Sequence, residues 1–260
     1  PGFMFSKKFN WFRILILEVV WDEIKNYLRL DYLFCPNCKV YIQNYLNHNF
    51  EDHYSFYYRL TRDQNSFGRH NSQAHIDNYQ EYIEIFKTYL QDRSILDVGC
   101  AEGTLINLLT EKKITSNCHG IEPSKQMSNY AISKGIKNIK NDVYLQSSYK
   151  EKSFDVIVCH HVFEHFSDID LAIKSFHVHL NDTGILILSV PNVEEEIAKE
   201  DSCLYRCLGE NYNFATDHIN LFSEQFLKEK FSNSEFKLVK SFKNIRKELS
   251  SDLTVIFQKK

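Results

Sequence analysis

The segment that most limits how this chain can fold is Ile95-Leu96-Asp97-Val98-Gly99-Cys100-Ala101-Glu102-Gly103-Thr104. A short apolar run meets two glycines and then an apolar stretch of helical period, Leu105–Thr110. Such a pattern predicts a strand that turns through a glycine loop into a helix. Gly99 lets the backbone turn sharply and approach a ligand with no Cβ in the way. Gly103 opens the helix, whose first N–H groups favour a negatively charged ligand group.

From Ser94 onward the same texture repeats. Short apolar runs (Ile95–Val98, His119–Glu122, Phe154–Cys159, Ile185–Val190) alternate with helical stretches (Leu105–Thr110, Lys125–Ser133, Leu171–Leu180). Strand, helix, strand in this order requires crossover connections and a mostly parallel, doubly wound α/β sheet. The tail adds a helix at Ser223–Phe231 and strands at Phe236–Phe242 and Leu253–Gln258, the last two close enough to pair antiparallel at the sheet edge. Residues 1–90 read as a mainly helical N-terminal cap, with helices at Trp11–Leu30 and Ile76–Leu90 around a Cys-x-x-Cys turn. The expected division is a cap over 1–90 and an α/β domain over 91–260, with an insertion at about 192–222.

Composition removes several classes. A chain 43% hydrophobic and 25% charged is ordinary globular material. Its net charge of −3, without long Lys/Arg runs, gives no general attraction to nucleic acid. Trp11–Leu30 is interrupted by Glu18, Asp22, Glu23, Lys25 and Arg29, so no membrane span is expected there. Seven cysteines, mostly scattered singly, suit a reducing compartment, and the expected location is the cytoplasm. Pro1-Gly2, in place of a start methionine, reads as an expression scar. Nothing in the sequence reports oligomeric state.

In an open parallel sheet, ligands bind beyond the carboxyl ends of the strands. Asp97 stands at the first such end, placed to meet an ammonium group or to organise the loop. Glu122, in Gly120-Ile121-Glu122-Pro123-Ser124, stands at the second. A carboxylate there can accept both hydrogen bonds of a ribose diol, and Ser124 is placed to cap the next helix. A nicotinamide or flavin site would ask for G-x-G-x-x-G, where this chain offers Gly99, Ala101 and Thr104.

These residues resemble a known family. Leu96–Gly103 is similar to the glycine motif of class I S-adenosylmethionine-dependent methyltransferases, followed at the right distance by Glu122. Ser153–Val158 and then Val162-Phe163-Glu164-His165-Phe166 resemble the fourth strand and the motif after it in ubiquinone-type and related bacterial small-molecule methyltransferases. Leu180–Leu186, Val190-Pro191-Asn192 and Asp217–Ser223 resemble later segments of the same family, so the likeness spans about residues 94–242 in order. It implies a seven-stranded Rossmann-like methyltransferase sheet and S-adenosylmethionine as cofactor, with S-adenosylhomocysteine as product. Asp97, Gly99 and Gly103 would then surround the methionine part, with Cys100, Ala101 and Pro123 also among the cofactor-binding residues. Glu122 would hold the ribose hydroxyls, Asp142 and Val143 would meet the adenine, and the His160 backbone would approach the sulfonium. The family usually has glycine where Ala101 stands, which weakens binding if that position needs a positive φ.

The implied function is methyl transfer to a small molecule, as O-methylation of a sugar, quinone precursor or natural-product hydroxyl. The alternative is a catalytically silent methyltransferase fold acting as a binding or scaffold protein. Candidate proton acceptors are His165 and His218, with His161 and Glu164 beside them, since a histidine titrates near working pH. His161-Val162-Phe163-Glu164-His165 also spells the H-x-x-E-H of inverted zinc peptidases, but that chemistry needs both histidines on one face of a long helix. A milder form, a divalent ion on His161, Glu164 and His165, stays open. Cys35-Pro36-Asn37-Cys38 resembles half of a zinc ribbon whose other pair is missing, with His48, His53, Cys203 and Cys207 as rescue ligands. A degenerate knuckle without metal is the reading adopted, and zinc the alternative. Tyr57, Tyr58 and Arg59 are assigned to a lid over the cofactor.

Overall fold

The computed structural model describes residues 32–35, 40–43, 72–144, 149, 152–192, 218–243 and 252–260. In chain order these form β1 (Tyr32–Cys35), β2 (Val40–Gln43), α1 (Gln73–Leu90), β3 (Ile95–Val98), α2 (Thr104–Glu111), β4 (Cys118–Ile121), α3 (Lys125–Ser133) and β5 (Ile139–Lys140). There follow β6 (Phe154–His160), α4 (Ile169–His179), β7 (Leu180–Pro191), β8 (Asn220–Leu221), α5 (Glu224–Ser232), β9 (Phe236–Lys243) and β10 (Asp252–Lys259).

The main sheet has seven strands in the order β5-β4-β3-β6-β7-β10-β9. Pairing is parallel from β5 through β7, and β10 runs antiparallel to both β7 and β9. The antiparallel pairing of the last two strands at the sheet edge is therefore present, with the final strand lying between β7 and β9. The order reverses between β3 and β6, the switch point at which open α/β sheets form their ligand crevice, at the carboxyl ends of the strands.

Alternation along β6 explains the two packed faces. Val156 and Val158 join a core with Ile95, Ile187 and Ile256 under α1 and α2. Ile157 and Cys159 join the opposite core with Leu96, Leu188 and Val255 under α4 and α5. Buried on both faces, the central strands are apolar almost throughout, as helix-covered parallel strands must be. On α1, Tyr82, Ile83, Phe86 and Leu90 recur at spacings of one, three and four and are all buried. Helices α3, α4 and α5 begin where a side-chain oxygen takes a free backbone N–H: Ser124 from Met127, Asp168 from Leu171 and Ser223 from Phe226.

Of residues 1–90, read as a helical cap, the described parts are α1 and the antiparallel strand pair β1–β2. β2 also pairs antiparallel with β8, Tyr41 opposite Leu221 and Ile42 opposite Asn220, making a second, three-stranded sheet. Trp11–Leu30, Cys38, His48, His53, Tyr57, Tyr58, Arg59, Cys203 and Cys207 lie outside the described residues.

Candidate functional site

The crevice has two sides that the chain builds differently. On the first, β3 ends in the loop Gly99–Gly103. Gly99 has φ +71, and a Cβ there would collide with Val162. Gly103 has φ +76, and a Cβ would strike Ile136 of the segment after α3. Both glycines are therefore demanded by conformation and by space. Ala101 also takes a positive φ, +47, so the condition set at this position is met in its unfavourable form. Left-handed backbone costs a non-glycine residue about 1–2 kcal/mol.

The strain at Ala101 is held in place by Glu122. Its Oε2 accepts the Ala101 N–H at 3.0 Å, and its Oε1 accepts the Ser124 N–H at 2.8 Å. The Gly99 and Cys100 N–H groups donate to Ile121 O at 2.8 and 3.2 Å. The glycine loop and the end of β4 thus form one hydrogen-bonded unit. Asn141 extends it, its side-chain amide donating to Glu122 O at 2.9 Å and Pro123 O at 3.0 Å. Asp142 and Val143 follow in that turn, with Val143 46% exposed.

Asp97 and Glu122 are each only 4% exposed. Burial first, then the neighbouring Glu122 charge, pushes the Asp97 carboxyl up to about 8. Two acidic groups buried side by side favour a ligand group that brings a positive charge.

The second side follows β6. His160 packs against Tyr79 and Tyr82 of α1, with ring centroids 5.6 and 5.1 Å away. His161 then takes φ +55, and Phe163–His165 form a single turn of 3-10 helix. The H-x-x-E-H pentapeptide is thus a tight corner rather than the long helix a peptidase needs, and that alternative is removed.

At this corner Glu164 is completely buried. His161 Nδ1 lies 3.4 Å from its Oε1, and the Nε2 atoms of His165 and His218 each lie 4.0 Å away. His161 Nε2 faces Asp252 Oδ1 at 3.0 Å. Burial works against a charged His161 ring, but Asp252 and then Glu164 outweigh it and hold it at about 9. Burial likewise opposes a charged Glu164; His161, His165 and His218 together bring its carboxyl below the usual range. His218 arrives because its neighbours are pinned: Ile219 N–H donates to Glu164 O at 2.9 Å, and the Asn220 amide donates to Phe166 O at 2.7 Å.

All four residues singled out as acid–base candidates, His161, Glu164, His165 and His218, therefore meet at one place. Sequence reasoning missed Asp252, whose position at the start of the last strand carries no motif. It missed Tyr79 and Tyr82 too, although their spacing of three on an amphipathic helix was a usable signal.

Comparison with known proteins adds the following. Residues 67–241 match a family model described as a methyltransferase domain. The chain is 32% identical over 120 residues to the ubiquinone biosynthesis O-methyltransferase of Rickettsia typhi, covering 43% of this chain and 48% of that protein. It is 30% identical over 105 residues to a Papaver bracteatum protein named "Probable (S)-tetrahydroprotoberberine N-methyltransferase 2", covering 37% of this chain and 28% of that protein. The chain thus spans less than half the length of these curated relatives. Among solved structures, the plantazolicin methyltransferase BpumL, in complex with a triazolic desmethylPZN analog and SAH, superimposes with a TM-score of 0.61. That likeness has 16% identity and covers 81% of this chain and 96% of the other, so it is a likeness of fold.

Proposed function

The chain belongs to the methyltransferase-domain family whose model it matches over residues 67–241, and on that premise we propose that it methylates a small molecule from S-adenosylmethionine, with a hydroxyl oxygen as acceptor. The observation that carries this reading is the buried acid pair, Asp97 and Glu122, beside a loop held open by two positive-φ glycines. S-adenosylmethionine supplies a methyl group on a cationic sulfur, together with an ammonium group and a ribose diol. Asp97 faces the ammonium and draws its own proton off as that charge arrives. Glu122 accepts from Ala101 and Ser124 with one oxygen each, and its two-oxygen carboxylate suits the two hydroxyls of the diol. Asp142 and Val143 border the adenine, and the backbone at Cys100, Pro123 and His160 completes the wall.

Methyl transfer asks the protein mainly to align acceptor and methyl, and to take up a proton when the acceptor is a hydroxyl. The acceptor lies against the corner of Glu164, His165 and His218. His161, tied to Asp252, orients Glu164 from behind. The two curated relatives are named for an O- and an N-methylation. The choice of oxygen rests on this group of imidazoles, which suits a hydroxyl that must lose its proton. A cytoplasmic location belongs to the same reading, supported by the free thiols of Cys100, Cys118 and Cys159 in the core.

A catalytically silent scaffold is the second reading, favoured by the positive φ of Ala101. Isothermal titration with S-adenosylhomocysteine separates the two, because a silent fold that has lost the site shows no heat of binding. Glu122→Ala is expected to weaken that binding by about 1–3 kcal/mol through lost diol hydrogen bonds. An unchanged dissociation constant would remove the ribose assignment.

A further inference from the structure

Glu164 poses a problem that methyl transfer alone does not solve. Its carboxylate is fully buried, and among the described residues the nearest donor, His161 Nδ1, is 3.4 Å away and out of good hydrogen-bond geometry. A buried carboxylate in that condition is costly, and native structures rarely leave one unanswered. The His161 contact at 3.4 Å is long for a hydrogen bond, and its other nitrogen is engaged by Asp252 at 3.0 Å. His165 and His218 at 4.0 Å are too far to donate to the carboxylate. Yet one ligand atom from each of Glu164, His165 and His218 falls within 4.8 Å of the others. The separations are too wide for hydrogen bonds, and the three ligand atoms converge on one point.

We propose that Glu164, His165 and His218 bind a divalent transition-metal ion whose remaining positions hold the oxygen of the methyl acceptor. Two imidazoles and a carboxylate are the donor set of open catalytic zinc sites and of the facial sites that hold iron. Donors at ~2.0–2.2 Å from a metal stand about 3.0–3.6 Å apart, so each imidazole, now 4.0 Å from the carboxylate, must close in by about 0.4–1 Å as an ion binds. The supporting shell is already present. Asp252 and His161 lie behind the carboxylate, while Ile219 N–H and the Asn220 amide fix the two chain segments to each other. His165 and His218 are 18% and 20% exposed, which leaves an approach for the ion and for a third molecule.

This inference rests on the methyltransferase reading and deepens it. An oxygen on such an ion loses its proton more readily. The hydroxyl proton then passes to water as the oxygen–carbon bond forms and the carbon–sulfur bond of the sulfonium breaks. His165 and His218 become ligands instead of proton acceptors. The set also differs from the trio suggested by the sequence, because His218 stands where His161 was placed.

The test uses the full chain, stripped with EDTA, desalted and titrated with Co2+ alone. The expected result is one equivalent bound with visible d–d bands, which His165→Ala and His218→Ala each weaken by about tenfold or more. Cobalt on the Cys35/Cys38 pair would instead give a thiolate charge-transfer band, which those two variants would leave unmoved. S-adenosylhomocysteine titrated into the same samples reports folding and the cofactor site separately. No d–d spectrum, or one unchanged in both variants while S-adenosylhomocysteine still binds, overturns the metal site. Loss of S-adenosylhomocysteine binding by the unaltered chain defeats the methyltransferase reading, while the cobalt spectrum still decides the metal.

Discussion

The two sides of the crevice are built on opposite plans. The cofactor side comes from two short segments, Asp97–Gly103 and Gly120–Ser124, at the ends of adjacent strands, joined by backbone hydrogen bonds and the Glu122 carboxylate. The acceptor side is a charge cluster gathered from three distant stretches: the corner after β6, the segment before β8, and Asp252 at the start of β10. The first depends on backbone shape, the second on side-chain charge. A steric fault in the loop should therefore ruin the first, and a charge substitution at the corner should touch only the second.

The largest effect expected is from Gly99→Ala. A methyl group there must displace Val162 and accept φ +71, which together cost about 3 kcal/mol or more. Urea denaturation should show the loss, and calorimetry should find S-adenosylhomocysteine affinity gone with it. If affinity survived, the loop would not be the cofactor cradle.

Asp252→Ala should cost about 2 kcal/mol by leaving His161 and Glu164 partly uncompensated. It should change S-adenosylhomocysteine affinity by less than about twofold, since additivity holds for separate sites. A tenfold weakening would show that the two sides are one network after all.

A proton should mark the cofactor side. With Asp97 pushed up to about 8 by burial and by Glu122, the free protein holds a proton there at neutral pH. The folded value lies above the ordinary carboxylate value, so this contribution to stability is complete below about pH 4 and is lost as pH rises through 8. The ammonium group of S-adenosylhomocysteine favours the ionised form, so this ligand should bind more tightly as pH rises from 6 to 8, releasing protons. Titration in buffers of different ionisation enthalpy measures that release, and proton uptake would contradict the assignment.

The smallest effect expected is a gain. Ala101→Gly removes the left-handed strain at φ +47 and should stabilise the fold by about 1 kcal/mol, read as a higher urea midpoint with unchanged slope. No gain would mean that the Glu122 hydrogen bond already offsets the strain.

Much of this molecule was legible without a structure, and for a definable reason. Ile95–Val98 and Lys125–Ser133 have the bounds that apolar period and the Ser124 cap imply, because those signals act within one turn or one strand. Asp97, Gly99, Gly103 and Glu122 were legible in the same way, since a strand-end loop needs its glycines and its carboxylates at short, fixed offsets. Glu164, His165 and His218 could be named as candidates, but not as neighbours. Only the docking of Ile219 on Glu164 and of Asn220 on Phe166 brings them together, and such contacts between distant segments leave no period to read. Asp252 had no local signal at all. Its role exists because β10 runs antiparallel beside β7 and starts level with Pro191, near the corner that follows β6. The sequence by itself therefore determined the sheet, the glycine loop and the chemistry available. The tertiary structure alone decided that Ala101 is strained and that a buried glutamate sits among three histidines, because φ and burial are set by what packs around a residue.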